Sequence, residues 1–127
     1  MKVLIDSSVW IDYFNQEINS SIIDLLIDEN LVVTNEIILS ELIPYLMNAK
    51  QKKLTKLLYE LPIDGLSINW NEIISYQTIM VQKGFNGIGI PDLIIAQNSI
   101  QNNSSVFSND KHFHLISKKL PIKIFSS

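Results

Sequence analysis

Lys2-Val3-Leu4-Ile5-Asp6-Ser7-Ser8-Val9-Trp10 is the stretch on which the fold turns. Three consecutive apolar residues, Val3 to Ile5, give way abruptly to a carboxylate and two hydroxyls. A short unbroken apolar run fits a strand covered on both faces, as in a parallel sheet. Asp6 then stands just beyond the carboxyl end of that strand. In open α/β sheets this is the edge where ligands bind, because the loops there surround a crevice. Ser7 or Ser8 is placed to cap the helix that follows, and a purely structural reading would make Asp6 itself the cap.

Working outward, the 127 residues predict one domain, 1–127, with a single core. Hydrophobic residues make up 46% of the chain, which suggests tight packing together with an apolar interface for a partner. Without cysteine, disulfides, zinc–thiolate sites and thiol catalysis are excluded. The apolar run after Lys2 is too short for a signal peptide and no stretch is long enough to span a membrane, so a cytoplasmic protein is expected. The net charge is −3, and every cation is a lysine. Lys50, Lys52, Lys53 and Lys56 nevertheless cluster, and a local basic patch can act on a polyanion whatever the net charge. Without arginine, a phosphate group must be met by lysine, backbone amides or a metal ion.

Strand-like and helix-like segments alternate along the chain. Strands are expected at Val3–Ile5, Leu31–Val33, Leu66–Ile68, Ser105–Phe107 and Ile122–Ile124. Helices are expected over Val9–Phe14, around Ile22–Ile27, and from Thr34 or Asn35 to Met47. Others follow along the Leu54-Leu57-Leu58-Leu61 face, around Ile73–Val81, and from Pro91 to Gln101. This alternation predicts an α/β fold of three layers, α/β/α, around a central parallel sheet of about five strands.

Three further acids fall at comparable points. Glu41 lies mid-helix between Ile37 and Tyr45, four residues away on either side, so it interrupts an apolar column. Such a charge needs compensation, either by a lysine or by a metal ion. Pro44 follows closely and should bend the helix by crowding the carbonyl of Ser40. Asp92 follows Pro91 in the first turn of its helix, where the free amides and the helix dipole favour a carboxylate. Asp110 comes after the strand ending at Phe107 and should emerge at the same edge as Asp6; a plain turn-forming aspartate is the structural alternative. Several carboxylates converging without arginine suit Mg²⁺ or Mn²⁺, which take hard oxygen ligands. The chemistry this implies is metal-dependent hydrolysis of a phosphodiester. No base is in view to activate Ser7 or Ser8 as a nucleophile.

Val3-Leu4-Ile5-Asp6-Ser7-Ser8-Val9-Trp10-Ile11, Ser40-Glu41-Leu42, Gly89-Ile90-Pro91-Asp92-Leu93-Ile94-Ile95-Ala96 and Phe107-Ser108-Asn109-Asp110-Lys111-His112-Phe113, in that order, resemble PIN-domain ribonucleases. The size is similar to that of the VapC toxins of toxin–antitoxin modules. The resemblance implies that Asp6, Glu41, Asp92 and Asp110 bind Mg²⁺ and carry catalysis. It makes Ser108, with Ser8 as a weaker candidate, a supporting hydroxyl beside them. It further implies endonucleolytic cleavage of RNA, homodimerisation, and inhibition by a cognate antitoxin protein. The helix of Lys50, Lys52, Lys53 and Lys56 would border the groove that receives RNA or antitoxin.

The chain departs from the family pattern at His112, where many relatives carry another aspartate. His112 and His114 form a His-x-His pair, but no third zinc ligand is in view, and both read as surface or packing residues. Two other phosphate-handling classes fit less well. A receiver domain would need an acid beside Asp6 and another at the end of a central strand near Ile68. A haloacid-dehalogenase-type phosphatase would need an aspartate where Ser8 stands. The remaining alternative is a catalytically inactive PIN-like module that binds RNA or protein.

Overall fold

The computed structural model describes residues 1–15 and 20–126. Four parallel strands form one sheet in the order β2-β1-β3-β4: β1 (Lys2–Ile5), β2 (Val32–Val33), β3 (Ser104–Phe107) and β4 (Lys123–Ile124). β1 is central and pairs with β3 in a register that sets Leu4 opposite Val106 and Ile5 opposite Phe107. On its other side Val3 and Leu4 face Val32 and Val33 of β2. The chain passes from β1 to β2 on one side and then crosses to β3 on the other side of β1, and such a switch in strand order opens a crevice at the carboxyl edge.

Among the described residues seven helices flank the sheet: α1 (Ser7–Phe14), α2 (Ser20–Asp28), α3 (Glu36–Asn48), α4 (Lys52–Glu60), α5 (Trp70–Gln82), α6 (Ile90–Asn102) and α7 (Lys111–Ser117). The apolar run of β1 is fully enclosed, with Val3, Leu4 and Ile5 at 0% exposure, as a strand packed on both faces requires. α6 is the central helix, and every residue from Leu93 to Ser99 is buried. Asn35 both starts α3, accepting from the Ile38 amide, and donates to Asn98 of α6 at 2.9 Å. That pair fixes α3 against the core. Among the described residues no helix is long and apolar enough to cross a membrane.

The expected strand at Leu66–Ile68 does not form, so the sheet has four strands rather than five. Its backbone groups find side-chain partners instead of a ladder. The Leu66 amide donates to Glu36 at 2.9 Å, the Ser67 carbonyl accepts from Gln101 Nε2, and the amide of the nearby Asn69 donates to Gln97 Oε1. The only strand-like contact near this stretch is a single bridge between Thr34 and Ile63. α7 is a helix that the periodicity of the sequence does not single out, being only seven residues long. α3 runs unbroken across Pro44.

Candidate active site

β1 ends at Ile5, and Asp6 continues its pairing, donating its amide to the Phe107 carbonyl at 2.9 Å. The Asp6 carbonyl accepts from the amides of Val9 and Trp10 and so starts α1. The backbone is thus fixed by strand and helix together, but the side chain makes no capping bond to α1. Neither serine caps the helix either. Ser8 Oγ donates to Asp6 Oδ2 at 3.0 Å, while Ser7 Oγ donates to Glu41 Oε2 at 3.4 Å. The hydroxyls are directed at acids that have no lysine partner among the described residues. This disposes of the reading in which Asp6 serves only as a cap.

Ser108 follows β3 directly and stands beside Asp6 because Ile5 and Phe107 are in register. Its hydroxyl donates to Asp6 Oδ2 at 2.8 Å and accepts the Asp110 amide at 2.9 Å. Ser8 Oγ likewise accepts the Asn109 amide at 3.1 Å, and Asn109 Nδ2 donates to Asp12 at 2.6 Å. The loop 108–110 is therefore tied to α1 by hydroxyls and an amide. Both serines donate to the same Asp6 oxygen, and among the described residues no hydrogen bond reaches Oδ1.

Asp92 occupies the third position of α6, after Pro91, where free amides are available. One of them, Gly89 N–H, reaches Asp92 Oδ2 at a long 3.4 Å. Burial pushes the Asp92 carboxyl above its usual range, the Gly89 amide offsets this in part, and the charge of Asp110 adds to the rise while His112 opposes it. Glu41 departs from expectation. The core face of α3 consists of Ile38, Leu39, Leu42, Ile43 and Leu46, whereas Glu41 and Tyr45 lie on the exposed side. No lysine pairs with Glu41 among the described residues. Its carboxyl is still held above the ordinary value, first by partial desolvation and then by the charge of Asp6. Ser7 offsets part of the rise, and Asp92 adds a further repulsion.

Asp6, Glu41, Asp92 and Asp110 therefore come together at the carboxyl edge of the sheet. Asp110 begins α7, accepting the His112 amide at 2.9 Å, so it is a helix cap as well as a member of the group. The sequence reading missed His112. Its Nδ1 lies 3.3 Å from Asp92 Oδ2 and 3.4 Å from Asp110 Oδ1, and these three residues each offer a ligand atom within 4.8 Å of the others. The signal was its place in the first turn of a helix begun by an acid of the site. His114 is exposed and takes no part.

The lysines stand apart. Lys50, Lys52, Lys53 and Lys56 are all exposed, and a shallow groove lined by Lys50, Lys52, Lys56, Met47, Thr55 and Tyr59 contains none of the four acids. Lys56 makes a loose 3.8 Å pair with Glu60.

A hard-oxygen donor set with one imidazole and no paired lysine among the described residues fits a divalent cation, whose charge would offset the desolvation and the repulsion that together raise Glu41 and Asp92. Comparison with known proteins gives the family and the fold. The PIN domain family profile matches residues 3–119. Among solved structures, the chain is similar to VapBC2 from Rickettsia felis bound to a DNA fragment from its promoter. The identity is 25% and the TM-score 0.75, with 99% of this chain and 98% of that one covered. VapBC-1 from nontypeable Haemophilus influenzae matches at 20% identity and TM-score 0.73, covering 99% and 98%. FitAcB from Neisseria gonorrhoeae matches at 17% and 0.73, covering 98% and 96%. The comparison with curated proteins found no match.

Proposed function

The chain belongs to the PIN-domain family, and from that membership we propose that it is a divalent-metal-dependent endoribonuclease, the toxin of a toxin–antitoxin pair. The observation that carries this reading is the convergence of Asp6, Glu41, Asp92 and Asp110, mutually repelling and without a lysine among the described residues. Residues 1–127 act as one domain in this reading. Mg²⁺, or Mn²⁺ in its place, supplies when bound a neutralising charge and a water of lowered pKa. Asp6 offers Oδ1 to the cation while Ser8 and Ser108 hold Oδ2. Asp92 and Asp110 supply the facing oxygens from the starts of α6 and α7. Glu41, whose carboxyl is held above the ordinary range, is suited to take a proton from the attacking water.

RNA reaches the site with its backbone phosphates steered by Lys50, Lys52, Lys53 and Lys56. Similarity to VapBC structures supports a cognate antitoxin protein as partner. Homodimerisation is supported by the outer face of α5, where Trp70, Ile74 and Val81 are 56%, 63% and 65% exposed and border a groove lined by uncharged residues. A cytoplasmic setting goes with these partners. The test is RNA cleavage by purified protein in Mg²⁺, in EDTA, and by Asp6→Asn, with RNA affinity followed against salt for a Lys52/Lys53/Lys56→Gln variant. Cleavage that needs both the metal and Asp6 is expected, as is a flattened salt dependence in the lysine variant. RNA or antitoxin binding with no cleavage by any preparation would favour an inactive binding module instead.

A further inference from the structure

His112 turns one ring nitrogen toward two carboxylates of the site at once. Its Nδ1 is nearly equidistant from them, 3.3 Å from Asp92 and 3.4 Å from Asp110. A single ring proton shared between the two makes only long, divided bonds. Charge-assisted N–H···O bonds are also shorter, about 2.7–2.9 Å. A six-coordinate ion with bonds of about 2.1 Å sets adjacent ligand atoms roughly 3.0 Å apart. The separations around Nδ1 lie close to such an edge. The backbone that carries the ring is fixed at the start of α7. The His112 amide donates to Asp110 Oδ1 at 2.9 Å, and Nε2 faces Gly87, where an added Cβ would stand 3.7 Å away. Gly87 has φ +86°, a conformation that keeps side chains out of that position.

We propose that His112 is a nitrogen ligand of the metal centre beside Asp92 and Asp110, and that it biases the site toward first-row transition ions over Mg²⁺. The assignment rests on the metal-dependent reading above. An imidazole suits borderline ions, whereas Mg²⁺ favours oxygen ligands and retains its waters. A carboxylate at this position would leave the donor set all-oxygen.

The experiment uses Mn²⁺ as the probe. Pulsed electron paramagnetic resonance of the Mn²⁺-loaded protein should detect nitrogen coupling in the wild type and in His114→Ala, and lose it in His112→Asp. Competition should show the ratio of Mn²⁺ to Mg²⁺ affinity falling in His112→Asp by roughly tenfold or more, since even neighbours of metal ligands are worth about 10–100-fold in affinity. His112→Gln, checked by thermal melting, serves if the aspartate variant fails to fold. Bound Mn²⁺ without nitrogen coupling, or coupling that survives both His112 substitutions, overturns the assignment and leaves the carboxylate site standing. Failure of the wild type to bind Mn²⁺ at all overturns the metal-dependent nuclease reading with it.

Discussion

At the amino end of β1, the Lys2 ammonium lies 3.0 Å from Asp64 Oδ2, and the Asp64 carbonyl accepts from Asn98 of the buried α6. At the carboxyl end of the same strand, four residues later, the charge of Asp6 acts on Glu41, which also feels Asp92, and Asp92 in turn feels Asp110; no lysine is paired with any of them among the described residues. One end of the strand matches each charge locally, as a structural ion pair does. The other gathers like charges and leaves them to hydroxyls, amides and one imidazole. Self-repulsion of this kind works against folding, so its presence at one edge of an otherwise well-packed sheet marks a place arranged for a ligand rather than for stability.

The largest effect should come from removing one charge of the uncompensated end. Asp92→Asn keeps the shape of the side chain, and RNA cleavage in Mg²⁺ should fall about a hundredfold or more, for a transition state weakened by about 3 kcal/mol. Losing a first-turn charge costs only about 0.3–1 kcal/mol, and relief of repulsion opposes that loss. Melting in EDTA should therefore stay level or rise. A folded variant that cuts at the parental rate would remove Asp92 from the site.

Ser108→Ala sharpens the comparison more gently. It removes a donor to Asp6 and an acceptor for the Asp110 amide. A hydrogen bond to a charged group is worth about 1.5–3 kcal/mol, so cleavage should drop on the order of tenfold. Kinetics indistinguishable from wild type would make Ser108 a loop residue only.

A third measurement reads the burial and the repulsion of these acids together. Glu41 and Asp92 are both raised above their ordinary values, so across the interval between the unfolded and folded pKa the native state holds more protons. Stability of metal-free protein should then fall as pH rises through that interval and recover on mild acidification. Glu41→Gln should flatten the dependence, and added Mg²⁺ should stabilise the protein most on its alkaline side. Melting curves in EDTA whose slope with pH is unchanged in Glu41→Gln would contradict the crowding of these acids. The smallest effect belongs to the matched end: Lys2→Met should cost about 0.2–1 kcal/mol, since the lysine is part-exposed, and should leave cleavage unchanged. A loss of activity there would break the distinction between the two ends.

Much of the fold was legible because local pattern suffices for it. The apolar run before Asp6, Asn35 ahead of α3 and Pro91 opening α6 are local signals, and each element formed where its signal stood. The Leu66–Ile68 stretch misled for a related reason. Its alternation of Leu, Ser and Ile fits a strand, but a strand exists only if a neighbour offers a ladder, and Glu36, Gln97 and Gln101 offered side chains first. Glu41 misled differently. Spacing put it in line with Ile37 and Tyr45, and only packing shows that this column is the exposed side of α3.

The sequence alone determined most of the order of strands and helices, with Asp6, Asp92 and Asp110 at the ends or starts of elements and Glu41 within a helix. That information is carried by neighbours within a turn or a strand. The tertiary structure decided what those acids meet. Ser108 reaches Asp6 across 102 positions of sequence, Ser7 reaches Glu41 across 34, and His112 reaches Asp92 across 20. Hydroxyls and imidazoles are drawn to whichever unpaired carboxylate the fold sets beside them. Which one that is depends on sheet register and helix packing, and no local pattern contains either.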